Sequence, residues 1–259
     1  INKSTDYFNT KLYTGNGSTQ AITGVGFQPD WVWLKDRTDG DNHQWYDVVR
    51  GTTKSLQCNT TNGEITFADG LTAFGTDGFT LGSNDQHNGS SDNFAAWCWR
   101  GANAQGSSNT DGTINTTYTS VNTTAGFSIS QYTGNESGTQ TVGHGLGVAP
   151  KLIIIKQTSS NSLNFVMYHH KLGATKHFLM NSNGSSSTSS YYFADTAPTS
   201  SVFSLGGNHN VNQNSKDFIA YCFAEKVGYS KFGLYEGTGQ NDGAFIYTGF
   251  KPAWILMKG

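Results

Sequence analysis

The sequence has few charged residues, few glutamates and few prolines. Charged residues make up 13% of the 259 positions, only four of them are glutamate, and the formal net charge is −2. Residues that favour helices are therefore scarce. The chain also lacks the excess of basic residues that binding to phosphate backbones requires, and it contains no run of about 18 apolar residues. We expect neither nucleic-acid binding nor membrane insertion.

Cysteine is scarce as well, and its three copies are widely spaced. An odd number of cysteines argues against a disulfide framework. Cys98 and Cys222 lie in apolar, strand-like contexts, whereas Cys58 lies in a polar one. Because free cysteine behaves as a small core residue, we predict buried structural thiols.

Glycine and aromatic residues are abundant. The chain has 32 glycines, 13% of its residues are aromatic, and turn pairs such as Asn62-Gly63 and Asp77-Gly78 recur along it. Many short strands joined by glycine- and asparagine-rich turns are typical of this composition. The sequence therefore predicts an all-β fold of antiparallel strands.

One motif occurs three times, at residues 26–35, 147–156 and 249–258. It reads Gly, an apolar residue, any residue, Pro, any residue, then four β-branched, aromatic or other apolar residues and a final Lys. Three of the four prolines occupy the same place in it. Because proline is tolerated at the start of a strand but not in its middle, we predict a buried strand after each proline.

The similarity extends beyond this motif, which indicates tandem units. Phe94, Ala96 and Cys98 match residues 218, 220 and 222 at a constant offset of 124. We predict one β-sandwich or jelly-roll repeat over residues 1–101, a Gly/Ser/Asn/Thr-rich linker over residues 102–126 and a second repeat over residues 127–228. Residues 229–259 would be the opening strands of an incomplete third repeat, which complete a sheet elsewhere.

Sequence signatures of catalysis are missing, so we expect a protein that is not an enzyme and needs no cofactor. There is no P-loop, no Gly-x-Ser-x-Gly elbow and no His-Glu-x-x-His motif. Asp69 and Asp195 occupy matched positions, one in each unit. Since a glycosidase needs two carboxylates at one bond, we interpret them as turn residues.

Three groups of residues are candidates for binding. Trp31 and Trp33 lie two positions apart, so they share one face of a strand. Together with Trp45 they form either an exposed platform for sugar rings or part of the core. Asn84 and Asn208 could donate hydrogen bonds to sugar hydroxyls. The acids of the loop after the first proline strand are a weak calcium candidate, and a solvated hairpin tip is the alternative: Asp36, Asp39 and Asp41.

Several stretches resemble a known family: residues 13–19, the Gly-Phe-x-Pro motif with Trp-x-x-Leu-Lys, and residues 218–225 leading to 228–233. They are similar to a repeated, lectin-like β domain of uncharacterised function in structural proteins of marine tailed bacteriophages. The resemblance implies a tail fibre, an appendage or a capsid-surface module at the virion surface. Its partners would be other virion proteins and further copies of the chain. Carbohydrate binding in host adhesion is the alternative, and a glycan-cleaving enzyme is a third, weaker one.

Overall fold

A computed structural model describes all residues, 1–259, and the prediction of an all-β protein is confirmed. Every pair of neighbouring strands is antiparallel. The strands are β1 (Phe8–Thr14), β2 (Gln20–Thr23), β3 (Trp31–Asp36), β4 (Gln44–Asp47), β5 (Lys54–Gln57), β6 (Ile65–Thr66), β7 (Leu71–Gly75), β8 (Gly78–Leu81), β9 (Asn93–Trp99), β10 (Thr116–Asn122), β11 (Phe127–Thr133), β12 (Gln140–Gly143), β13 (Leu152–Gln157), β14 (Val166–His169), β15 (Lys176–Leu179), β16 (Ser187–Thr188), β17 (Val202–Leu205) and β18 (Asp217–Phe223). Three one-turn helices are α1 (Asp85–Asn88), α2 (Ser190–Phe193) and α3 (His209–Asn212).

The first half of the chain forms two sheets. Six strands pair in the order β1-β9-β3-β4-β5-β6, and three pair in the order β2-β8-β7. The three-stranded sheet covers one face of the six-stranded sheet. Their shared core includes Ile22 and Phe79 from the small sheet and Val32 and Leu34 from β3. Since alternate residues of β3 point to opposite faces, its other two apolar residues point away from this core.

The second half repeats this arrangement with one extra strand. Its large sheet has the order β10-β11-β18-β13-β14-β15-β16, and β12 pairs with β17 to cover it. Apart from β10, the strand order is that of the first half. The covered core contains Ile153 and Ile155 of β13, which stand two places apart like Val32 and Leu34.

The two large sheets pack face to face, so four layers of sheet are stacked. A cluster of 17 buried residues lies between the two large sheets and draws on both halves. From the first half it includes Trp31, Trp33 and Trp45, and from the second Ile154 and Tyr221. We call it the interface core. The large sheets are therefore buried on both faces.

The linker prediction for residues 102–126 is wrong in part. Residues 116–122 form β10, which pairs with β11 as the edge of the second large sheet. Thr116, Thr119 and Ser120 are buried there. The Oγ1 atoms of Thr116 and Thr119 lie 2.9 Å apart, and the Ser120 hydroxyl accepts from the backbone nitrogen of Ala102 at 3.0 Å. Because β10 buries hydroxyls and not large apolar side chains, its composition is that of a loop.

Strands are also absent where the third repeat was predicted to open. Residues 227–259, called the third segment here, contain no strand. In the first half, β1 and β3 do not pair with each other, because β9 lies between them and pairs with both. In the second half β18 lies in the same way between β11 and β13. The third segment has equivalents of the outer two strands but no central strand, so no ladder forms.

The prediction for the cysteines is confirmed. Cys58, Cys98 and Cys222 are all buried and free. Burial raises the pKa of each thiol well above its ordinary value. They are therefore protonated core residues at neutral pH.

Candidate functional site

The three predicted binding tryptophans lie in the interface core. Trp31 and Trp45 expose 1% and 0% of their surface, and Trp33 exposes 6%. The centroid of the Trp31 ring lies 4.2 Å from that of Trp99 and 4.8 Å from that of Tyr221. The exposed-platform alternative is wrong and the core alternative is right, because a second sheet covers this face of β3. These rings hold the two halves together.

One face of the third segment contacts the same tryptophans. The Trp254 ring centroid lies 5.8 Å from that of Trp33 and 5.3 Å from that of Trp99. Leu256, two positions further, also packs against the interface core. By its distance from the proline, Trp254 is the equivalent of Trp31. The third proline motif thus turns the same face to the interface core as β3 does.

The opposite face of this stretch is open. Ile255 is 65% exposed and Met257 is 68% exposed, whereas their equivalents in β3, Val32 and Leu34, are fully buried. Eight of the eleven exposed large apolar residues lie in the third segment: Val227, Leu234, Tyr235, Phe245, Ile246, Tyr247, Ile255 and Met257. A concentration of apolar surface of this kind is typical of an interaction site.

A cleft of about 390 Å³ separates the third segment from the two large sheets. Trp33 and Cys58 line it from the first half, Met167 and Met180 from the second, and Leu256 from the third segment. The Trp33 Nε1 donates to His43 Nδ1 at 2.8 Å, and burial lowers the pKa of His43. Half of the twelve lining residues are apolar, the rest include Lys258, and none is a carboxylate. This lining suits packing better than acid–base chemistry.

The two predicted asparagines start one-turn helices. Asn84 precedes α1, donates to Asp69 Oδ1 at 3.2 Å and contacts the His87 ring. Asn208 precedes α3 and accepts from the backbone nitrogen of Asn210 at 2.9 Å. None of these hydrogen bonds joins an asparagine to the tryptophans. The structure therefore does not assemble the predicted sugar site.

His87 is a buried residue that sequence reasoning missed. Its Nε2 lies 2.8 Å from the Tyr46 hydroxyl, and its side chain is fully covered. Burial lowers the pKa of His87 from 6.5 to about 4, against a smaller opposing effect of Asp69. The folded protein therefore holds the neutral imidazole at pH 5.

A loss of stability in acid follows from this pKa. Between pH 6.5 and 4 the unfolded chain binds a proton at His87 and the folded chain does not, so the stability contribution falls by up to about 3 kcal/mol. Burial raises the pKa of Asp30 to about 6, which gives the opposite slope. We therefore expect the unfolding free energy of His87→Gln to change more favourably from pH 7 to pH 4 than that of the parent, by up to about 3 kcal/mol, as measured by urea unfolding at both pH values. An equal change in unfolding free energy between the two pH values for the parent and for His87→Gln would contradict this prediction.

The fold brings together two of the three acids predicted as a calcium site and adds a third carboxylate. Carboxylate oxygens of Asp36, Asp39 and Asp92 lie within 4.8 Å of one another. Asp41 is not in this group, and its backbone oxygen accepts from Lys35 Nζ at 2.9 Å. Asp92 was missed because it lies 53 residues after Asp39 in the sequence. It precedes β9, the strand that pairs with β3, and this pairing brings it close.

An ion pair buried between the large sheets was also missed. Arg50 Nε lies 2.7 Å from Asp47 Oδ2, and both side chains are at most 1% exposed. Tyr221, from the other large sheet, donates its hydroxyl to the same oxygen at 2.7 Å. Only the packing of the two halves brings Tyr221 to Asp47, which explains why neither residue was a sequence candidate.

The fold defines an all-β protein of stacked antiparallel sheets. The family model described as a domain of unknown function (DUF7483) matches residues 3–259, so the chain belongs to that family. No curated protein and no solved structure matches the chain. None of its helices has the length and apolar character of a membrane-spanning segment.

Proposed function

We propose that the chain is a non-enzymatic structural protein of a tailed-phage particle. It would serve as a tail fibre, an appendage or a capsid-surface module and act as a rigid β scaffold at the virion surface. Two features support this proposal: the family resemblance of its motifs and the large interface core that joins the two halves. The main observation behind the proposal is the exposed apolar face of the third segment, because such a face is typical of a surface that binds another protein.

We also propose that each half is one copy of a lectin-like sandwich or jelly-roll unit. The support is the shared strand order, in which β11-β18-β13-β14-β15-β16 corresponds to β1-β9-β3-β4-β5-β6. The matched Phe-x-Ala-x-Cys pattern of β9 and β18 adds to it. On this view the third segment is the start of a third copy.

The third copy would be completed by one central strand. Residues 230–236 correspond to β1 and residues 254–258 to β3, and these two stretches lie close together, with the Tyr235 hydroxyl 3.6 Å from Met257 Sδ. In both halves the strand between their equivalents has the Phe-x-Ala-x-Cys pattern. A strand of this class, with apolar residues on both faces, would pair with both stretches. Ile255 and Met257 would then need a second layer over them, as the three-stranded sheet covers Val32 and Leu34.

Residues 1–259 have no such strand to spare. The two examples, β9 and β18, are each paired on both sides. Each copy of residues 1–259 supplies two strands of this class, whereas its three units have three central-strand positions. Exchange of strands among copies therefore leaves one central position empty per copy. The strand therefore comes from outside residues 1–259. Homo-oligomers of the chain could form through other surfaces.

Particle composition tests the proposed function. We expect the chain to be present in particles purified from the phage that encodes it and washed in high salt, as detected by mass spectrometry of tryptic peptides from residues 127–223. A capsid protein of the same particle is the positive control. If washed particles lack the chain while it accumulates in the lysate, the proposal is wrong.

Glycan binding is a second candidate, and one surface groove favours it. The Tyr191 ring is 67% exposed at a groove of about 480 Å³ that Glu136, Thr139 and Ser190 also line. An exposed ring beside hydroxyl and carboxylate groups can stack on a sugar and accept its hydrogen bonds. Binding on a glycan array that Tyr191→Ala abolishes would favour this function, and an empty array would exclude it.

A further inference from the structure

The three carboxylates of the acidic loop are held together by backbone contacts between neighbouring strands. Asp36 is the last residue of β3, and Asp92 directly precedes β9. The backbone nitrogen of Arg37 donates to the Asn93 oxygen at 2.7 Å. The backbone nitrogen of Asn93 donates to the Thr38 hydroxyl at 2.8 Å. The loop and the start of β9 therefore form a fixed frame around the carboxylates.

Asp36 holds a buried carboxylate oxygen without a partner. The residue is 1% exposed. Its Oδ1 accepts from the backbone nitrogens of Thr38 at 2.7 Å and Asp39 at 3.0 Å. Its Oδ2 is buried and accepts no hydrogen bond. Leaving a charged oxygen buried and unpaired is costly, so the structure calls for a cation or donor at this atom.

No basic side chain supplies that positive charge. No ion pair within 4.0 Å involves Asp36, Asp39 or Asp92. The nearby Lys35 ammonium is turned to backbone oxygens, among them that of Asp39 at 3.2 Å. Their carboxylate oxygens lie within 4.8 Å of one another. The three carboxylates therefore repel one another.

The second half has no such group at the equivalent place. There Gln157 ends β13 as Asp36 ends β3, and its Nε2 donates to Gln213 Oε1 at 2.7 Å. Lys216 precedes β18 where Asp92 precedes β9. Both halves share this frame. In the second half the side chain at this place, Gln157, is hydrogen-bonded, whereas in the first half Asp36 Oδ2 has no partner. The fold alone therefore does not require three acids here.

We infer that Asp36, Asp39 and Asp92 bind a divalent cation of the calcium class. All three ligands are hard oxygens, which excludes a preference for soft metals. Ca²⁺ accepts irregular, partly hydrated sites more readily than Mg²⁺, and a site with one buried and two accessible carboxylates leaves room for water. The bound ion would tie the loop after β3 to the start of β9.

Calcium titration of the whole chain tests this site. After treatment with a chelator, isothermal titration should give one Ca²⁺ site per chain with a dissociation constant of about 1 mM or tighter. Saturating Ca²⁺ should raise the melting temperature. Asp92→Asn, which keeps the size of the side chain and touches no turn hydrogen bond of Asp36, should weaken binding at least about tenfold. Asp39→Asn should act in the same direction.

The control is Asp195→Asn, which removes an exposed acid in the second half and should leave the affinity unchanged. The inference is overturned if the parent chain binds no Ca²⁺ up to about 10 mM, a range beyond weak extracellular sites. It is equally overturned if Asp92→Asn and Asp195→Asn bind as the parent does, since the ion would then lie elsewhere. Circular dichroism of each variant shows that the fold is retained.

Discussion

Replacing Asp47 with alanine should lower the free energy of unfolding by about 3–5 kcal/mol. The substitution removes the closer of two carboxylate partners of the Arg50 guanidinium, which is 1% exposed: Asp47 lies at 2.7 Å, whereas the half-buried Glu64 lies at 3.4 Å. It also leaves the Tyr221 hydroxyl without its acceptor. Because water does not reach this place between the two sheets, no solvent molecule replaces the lost partner. Urea unfolding followed by tryptophan fluorescence measures the change.

The matched control is the exposed pair of Lys3 and Asp6. It has the same spacing of three residues, but its side chains are 72% and 43% exposed. Asp6→Ala should therefore change stability by at most about 1 kcal/mol. A loss below about 1 kcal/mol for Asp47→Ala would contradict the buried network. Tyr221→Phe, which removes only the hydrogen bond between the sheets, should cost about 1–3 kcal/mol.

Truncating Trp31 should be comparably severe. Its ring contacts five other buried or half-buried rings besides Trp33, from both large sheets: Trp45, Trp99, Phe127, Tyr221 and Phe223. Trp31→Ala would leave a cavity at the centre of the interface core and should cost about 3–5 kcal/mol. The midpoint of thermal or urea unfolding measures it.

Tyr191→Ala provides the comparison for Trp31→Ala. Tyr191 is an aromatic residue that is 67% exposed, so its removal should change stability by no more than about 0.5 kcal/mol. Equal effects of the two substitutions would mean that the interface core contributes little. In that case the two halves would not behave as one rigid scaffold.

The proline motif made much of the fold predictable. Pro29 and Pro150 each precede a strand buried on both faces, β3 and β13, two residues further on. Proline at a strand entry and an apolar run are local signals, so the sequence alone carries them. Which face of β3 meets which layer is not local. The exposed or buried state of Trp31 therefore depended on a second sheet that its own repeat does not contain.

The errors share a physical cause, which is pairing between distant residues. Thr116 lies in a tract with loop composition, and β11 turns it into an edge strand. Trp254 lies in a motif with strand composition, and without a central strand it stays outside a ladder. Asp92 joined Asp36 only because β9 pairs with β3. In each case the partner decides the outcome more than the local sequence does.

Hydrogen exchange with an added strand tests the central claim most directly. A peptide with the sequence of residues 216–225, flanked by lysines for solubility, stands in for the missing central strand. On the whole chain it should slow amide exchange within residues 230–236 and 254–258, because both stretches gain ladder hydrogen bonds. A scrambled peptide should not protect these residues. Unchanged exchange, or equal protection by both peptides, would contradict the claim that the third segment accepts a strand.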